Sequence, residues 1–111
     1  MVEVRILEEA EEELALLPTS ERGAMQNAFA KLQELGDALG YPHSSQVKGT
    51  SLRELRPRRG RSAWRAFYQR VGTHYFVIAA IGPEALSNPR EFRRMVAIAQ
   101  KRMKELEMDH D

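Results

Sequence analysis

The residues of this chain best suited to chemistry lie together: Leu52-Arg53-Glu54-Leu55-Arg56, then Arg58-Arg59-Gly60-Arg61, then Trp64-Arg65-Ala66-Phe67-Tyr68-Gln69-Arg70. Arginines alternate with aromatic residues. A guanidinium pairs bidentately with phosphate and an aromatic face stacks on an unpaired base, so this composition suits single-stranded RNA better than the major groove of a duplex. Metal-free RNA cleavage needs a group that activates the 2′-hydroxyl, a cation beside the phosphorane and an acid for the leaving 5′-oxygen. Arg56 and Arg65 can be the cation, and Glu54, Tyr68 and His74 can move protons. Lys48, Arg53, Arg58, Arg59, Arg61 and Arg70 supply further charge for binding nucleic acid. Each residue also has a plainer reading. Arginine on a solvent-facing strand protects an edge, and Trp64, Phe67 and Tyr68 can fill a core. His74 can be an exposed turn residue. Glu54, the only acid in the stretch, is expected to pair with neighbouring arginines.

The charge of the whole chain, a net +1, hides this concentration. Residues 1 to 37 hold nine acids against three bases, residues 38 to 83 hold eight bases against one acid, and residues 84 to 111 hold six of each. Such sorting points to a polyanionic partner. The 111 residues, 42% apolar and 30% charged, have the size and composition of one globular domain, expected over 1–111. With no cysteine there is no disulfide framework, thiol chemistry or cysteine-based zinc site, and His43, His74 and His110 are scattered. Neither a metal nor another cofactor is expected. The longest mainly apolar run, Tyr75 to Ile81, is far short of the roughly 20 residues that span a bilayer. The first residues lack the basic start and apolar core of a signal peptide, so the expected address is the cytoplasm, with no membrane partner. No glycine-rich phosphate loop, paired-carboxylate motif or Ser/His/Asp arrangement is present.

These residues need elements to position them. Val2, Val4 and Ile6 alternate with Glu3 and Arg5, predicting a first strand. From Glu8 the chain turns to Glu, Ala and Leu, predicting a helix that ends before Pro18. Thr19 or Ser20 is expected to cap a second helix with a stripe of Met25, Ala28, Phe29, Leu32 and Leu35, ended by Gly36 and Gly40. The two helices should form an antiparallel hairpin laid on a sheet. Residues 41–51 read as a loop, Leu52 to Arg56 as a short strand, Pro57-Arg58-Arg59-Gly60 as a turn, and Ser62–Val71 and His74–Ile81 as two antiparallel strands. Asn88-Pro89-Arg90-Glu91 is a helix start, with the helix expected to run to about residue 106 and the last five residues to fray. The predicted class is α+β: strand, helix hairpin, three strands, C-terminal helix. Alternation along the third strand puts Arg65 and Phe67 on one face and Trp64, Ala66, Tyr68 and Arg70 on the other, so Arg65 and Tyr68 share a pocket only if the strand twists or bulges between them.

This order of elements, with Glu54-Leu55-Arg56, a short turn and then Trp64-Arg65-Ala66-Phe67-Tyr68, resembles the RelE superfamily of bacterial toxins, and within it the HigB-like, phage-derived branch. The resemblance runs from the first strand to the last helix. It implies the toxin of a type II toxin–antitoxin pair, a ribosome-dependent messenger RNA endoribonuclease neutralised by a cognate antitoxin. Arg56 and Arg65 would hold the scissile phosphate, Tyr68 would be the nearby aromatic hydroxyl, and the basic hairpin would meet ribosomal and messenger RNA. Many relatives carry a basic stretch after the last strand, where this chain has Ile81-Gly82-Pro83-Glu84-Ala85-Leu86-Ser87. Arg90, Arg93 and Arg94 could replace that charge or form a solvated helix face. Two other functions stay open: a non-nuclease toxin that inhibits DNA gyrase, as ParE relatives of this fold do, and a non-toxic basic nucleic-acid-binding module. An acidic, partly disordered antitoxin would suit the basic face.

Overall fold

The computed structural model describes residues 2–73 and 75–109. His74 and His110, both weighed above, lie outside the described residues. Strand β1 (Glu3–Ile6) leads into helix α1 (Glu8–Ala15), and α2 (Thr19–Leu35) follows after Pro18. Four strands come next: β2 (Ser44–Gln46), β3 (Arg53–Leu55), β4 (Trp64–Val71) and β5 (Tyr75–Pro83). Helix α3 (Pro89–Asp109) completes the chain. The five strands form one sheet in the order β1-β5-β4-β3-β2, in which β1 runs parallel to β5 and the other pairings are antiparallel. The predicted α+β class and element order are those observed, with one strand added.

That strand, β2, lies inside the segment read as a loop. Ser44-Ser45-Gln46 has no apolar alternation to announce it; the strand exists because its backbone pairs with β3, Ser44 opposite Leu55 and Gln46 opposite Arg53. Two helix ends also differ from expectation. The N-cap of α2 is Pro18 rather than Thr19 or Ser20, and no side chain caps it. The Pro18 carbonyl accepts the Arg22 amide at 2.9 Å, which places Thr19 and Ser20 within the first turn. Helix α3 continues to Asp109, past the expected end near residue 106. Its start is as predicted: the Glu91 amide donates to Asn88 Oδ1 at 3.2 Å.

Two apolar layers hold the sheet between helices. The α1–α2 hairpin packs Ala10, Leu14, Met25, Phe29 and Leu32 against Leu55, Ala66, Tyr68, Phe76 and Ile78. On the opposite face α3 packs Met95, Val96, Ala99 and Met103 against Phe67, Val77, Ala79 and Ala80. The β4–β5 register shifts between Phe67, opposite Ala80, and Tyr68, opposite Ile78. The shift leaves Ala79 and Ala80 in the same layer, where their small side chains admit α3. Gly36, with φ 53°, turns the chain out of α2 where a Cβ would fall 2.6 Å from Val2 Cγ2.

Beyond Ile78, β5 has outrun β1, and side chains satisfy its edge. Glu13 Oε1 accepts the Ile81 amide at 3.0 Å, and Arg102 Nη1 donates to the Ala79 carbonyl at 2.9 Å. Arg102 also grips Glu13 through both carboxylate oxygens, at 3.0 and 2.9 Å, so α1, β5 and α3 are tied together where the sheet would otherwise present an open edge.

Candidate nucleic-acid interface

Between the N-terminal half of α2 and the turn that follows β3 lies an open groove of about 520 Å³. Its charged wall is Lys31, Arg56, Arg58, Arg59 and Arg61, with His43 beside them; Gly23, Ala24 and Ala28 on α2 are small enough to let the turn approach. The turn, Pro57–Gly60, is kinked rather than a regular helical turn: its two central residues, Arg58 and Arg59, both stand at φ 59° and ψ 35°. That is left-handed backbone, which side chains other than glycine adopt at a cost of about 1 kcal/mol or more each. Both arginines are exposed.

Several contacts hold the strained turn. Arg65 is only 2% exposed. Its Nη1 donates to the carbonyls of Ser62 (2.7 Å) and Trp64 (2.9 Å), and its Nη2 donates to the carbonyl of Gly60 (3.1 Å). Its Nε faces Glu54 Oε1 at 3.4 Å, and Glu84 Oε2 lies 3.7 Å from Nη2. Burial lowers its pKa, as does the neighbouring Arg56 charge, while Glu54 and Glu84 act the other way. Glu21 on α2 adds a second tie, pairing with Arg58 at 3.2 Å and accepting the Ser62 hydroxyl at 2.5 Å. Arg58 also donates to the Ser20 carbonyl at 3.2 Å.

Arg56 stands at the groove edge. It donates from Nη1 to Glu54 Oε1 (2.8 Å) and from Nε to the Pro42 carbonyl (3.1 Å), while its guanidinium carbon lies 5.2 Å from the centre of the Tyr41 ring. Glu54 therefore pairs with two arginines, as its isolation among bases predicted. Gly60 has φ 88°, and a Cβ there would come within 2.6 Å of Arg56 Nη2, so glycine is what allows the turn to close over this arginine. Arg59 and Lys31 enter no ion pair or side-chain hydrogen bond among the described residues, although both act electrostatically on His43. Their charge is uncommitted.

The expected catalytic trio does not form one pocket in this structure. The alternation of β4 is as predicted, and the register shift beside Tyr68 does not bring it round: Arg65 lies on the α3 side and Tyr68 on the hairpin side. Tyr68 is 1% exposed, shares a 2.6 Å hydrogen bond with the buried Ser44 hydroxyl and packs edge-on against Phe76. Arg65 has its donors turned onto backbone carbonyls, so the turn it holds, not a phosphate, is what it touches. Phe67 is fully buried in the core and Trp64, partly buried, packs against the hairpin side of it, so the aromatics anticipated from the sequence for stacking serve mainly in packing. Tyr41, 77% exposed and stacked with Arg56, is the exposed ring beside the groove.

The expected binding residues divide. Arg58, Arg59 and Arg61 line the groove. Arg53 is partly buried and donates to Ser44 Oγ at 3.0 Å; Lys48 is exposed in the β2–β3 connection. Arg70 stands at the far end of β4, paired with Asp37 and donating to the Gly72 and Thr73 carbonyls. On α3, Arg94 pairs with Glu91, and Arg90 and Arg93 are exposed on the helix surface. Lys31, His43 and Tyr41 were not anticipated. Lys31 sits in the acidic third of the sequence and the other two in a loop-like stretch, and only the packing of α2 against the turn assembles them.

A family model described as "Phage derived protein Gp49-like" matches residues 12–104. Among solved structures, E. coli toxin RelE in the free state, as a double arginine-to-alanine mutant, is similar with a TM-score of 0.64 at 16% identity, covering 91% of this chain and 96% of that one. The toxin of the toxin–antitoxin complex RelBE2 from Mycobacterium tuberculosis is similar with a TM-score of 0.57 at 22% identity, covering 75% of this chain and 98% of that one. No curated protein sequence matches significantly. At these identities the solved structures establish a shared fold.

Proposed function

The chain belongs to the phage-derived Gp49-like family and has the fold of RelE, and from that premise we propose that it is a type II toxin that cleaves messenger RNA on the ribosome. The observation that carries this reading is the groove. Four arginines and a lysine converge on it, two of them uncommitted, and a strained backbone holds two of the arginines outward. Such an arrangement is costly to build and is suited to phosphates of a single strand. Arg56, Arg58, Arg59, Arg61 and Lys31 would hold the RNA, with Tyr41 available to stack on a base. Arg65 would act through the turn it braces, and Tyr68 through the core. The site of action would be the cytoplasm, where ribosomes are. A cognate antitoxin would neutralise the protein by laying an acidic segment over the same groove.

A second reading has its own support. With Tyr68 in the core, fewer groups are at hand for proton transfer, as befits a toxin that blocks a protein target such as DNA gyrase.

The test is a reconstituted translation reaction with one defined messenger RNA, with and without ribosomes, in which the 5′ ends of products are mapped. New ends are expected only with ribosomes, and Arg59→Ala should reduce them at least tenfold while leaving the thermal midpoint unchanged or raised. Intact messenger in every lane would overturn nuclease action and leave gyrase inhibition or plain nucleic-acid binding. Supercoiling assays then separate these two.

A further inference from the structure

His43 lies at the entry to β2, where its amide donates to the Gly40 carbonyl (2.9 Å) and its own carbonyl accepts the Arg56 amide at 2.8 Å. That bond extends the β2–β3 ladder by one step and fixes His43 and Arg56 as neighbours across it. Both line the groove. The imidazole forms no side-chain hydrogen bond among the described residues, so both ring nitrogens are available to a ligand. Cations face the groove from each wall: Lys31 from α2, Arg56 from the end of β3, and Arg58, Arg59 and Arg61 from the turn. The two carboxylates attached to this wall are engaged, Glu54 by Arg56 and Arg65, Glu21 by Arg58 and Ser62.

These surroundings disfavour the charged imidazolium. Desolvation lowers the His43 pKa from its ordinary 6.5, and the charges of Lys31 and Arg59 lower it further. A neutral imidazole among phosphate-binding cations is a proton acceptor placed where an anion docks.

We infer that His43 takes the 2′-hydroxyl proton in RNA cleavage, with Arg56 as the cation beside the reacting phosphate. This assignment rests on the messenger-cleaving reading above. In the step, the 2′-oxygen gives its proton to the imidazole and forms a bond to phosphorus. The P–O5′ bond breaks, its electron pair leaves with the 5′-oxygen, and water protonates that oxygen. The products are a 2′,3′-cyclic phosphate and a 5′-hydroxyl end. No oxidant, reductant or metal is needed. The groove also makes the base conditional on substrate. Without RNA, Lys31 and Arg59 oppose imidazolium formation; a bound phosphate offsets their charge and allows the ring to accept a proton. His43 is thus most basic when the scissile phosphate is in place.

The assay is the reconstituted translation reaction, run from mildly acidic to neutral pH with wild type, His43→Gln and His43→Ala, together with filter binding to a short single-stranded RNA. Wild type should leave cyclic phosphate ends, with a rate that rises with pH along an acid limb. Both variants should bind the RNA within about twofold of wild type and cleave at least ~100-fold more slowly, without that limb. Added imidazole should restore part of the His43→Ala rate. His43→Gln, which keeps the ring's approximate size and polarity, retains the test if His43→Ala does not fold. Variants that cleave at the wild-type rate, or slowly with the wild-type acid limb retained, overturn the His43 assignment and leave the messenger-cleaving toxin standing. Wild type that never cleaves on ribosomes overturns both.

Discussion

Arg65 shows how a residue's chemistry depends on what surrounds it. In sequence it stands between Trp64 and Ala66 as one more arginine of a basic stretch. In the fold its guanidinium is enclosed by three carbonyls and two carboxylates, and it braces the turn that exposes Arg58 and Arg59. Truncating it leaves those buried acceptors without their donor. Arg65→Ala is therefore expected to lose about 3 kcal/mol in urea unfolding. Loss of cleavage by this variant would then report a collapsed turn, and a stability change below about 0.5 kcal/mol would show that the enclosed guanidinium does not hold the turn. The identity of the basic cluster was legible in the sequence because charge is countable. Which arginine faces inward was less so, since alternation assigns a side of the strand and not what covers that side.

At the scale of elements, the groove depends on a glycine that closes the turn. Gly60 and Gly49 both have positive φ, 88° and 80°, but a Cβ at Gly60 would strike Arg56 while one at Gly49 would meet open space. Each alanine should cost about 1 kcal/mol for its backbone conformation. Gly60→Ala should cost more, by thermal or urea unfolding, and should also weaken single-stranded RNA binding by displacing Arg56. Gly49→Ala should leave binding unchanged, and equal behaviour of the two would refute a steric role for Gly60. The helices and the long strands could be read in advance from apolar periodicity, from the Asn88-Pro89 start and from Gly36. Strand β2 could not, because Ser44-Ser45-Gln46 carries no pattern of its own and is a strand only through its pairing with β3.

Across the whole molecule, the basic residues are not equivalent. Five line the groove, whereas Arg70, at the opposite end of β4, is paired with Asp37. Binding to a single strand releases counterions, with a slope of log K against log salt of about −0.7 for each phosphate contacted. Lys31→Ala and Arg59→Ala should each make that slope shallower by about 0.7, whereas Arg70→Ala should leave it unchanged. A measured Arg70 effect as large as that of Arg59 would place the RNA path along β4 instead of in the groove. Lys31 is the informative case: it belongs to the acidic third of the chain, yet it faces the arginines because the hairpin folds α2 against their turn.

What the amino-acid sequence determined by itself were the properties set by neighbours in the chain: periodicity, caps, turns, and a middle third with eight bases against one acid. Those sufficed for the α+β class, the order of its main elements and the resemblance to RelE toxins. The tertiary structure alone decided where the charge is usable. It buried both Arg65 and Tyr68, paired Arg70 with Asp37, and brought Lys31 and His43 to Arg56, Arg58 and Arg59. The physical reason is that burial and electrostatic environment depend on residues far apart in sequence, so the same side chain is a brace when enclosed by carbonyls and a binding group when it faces water.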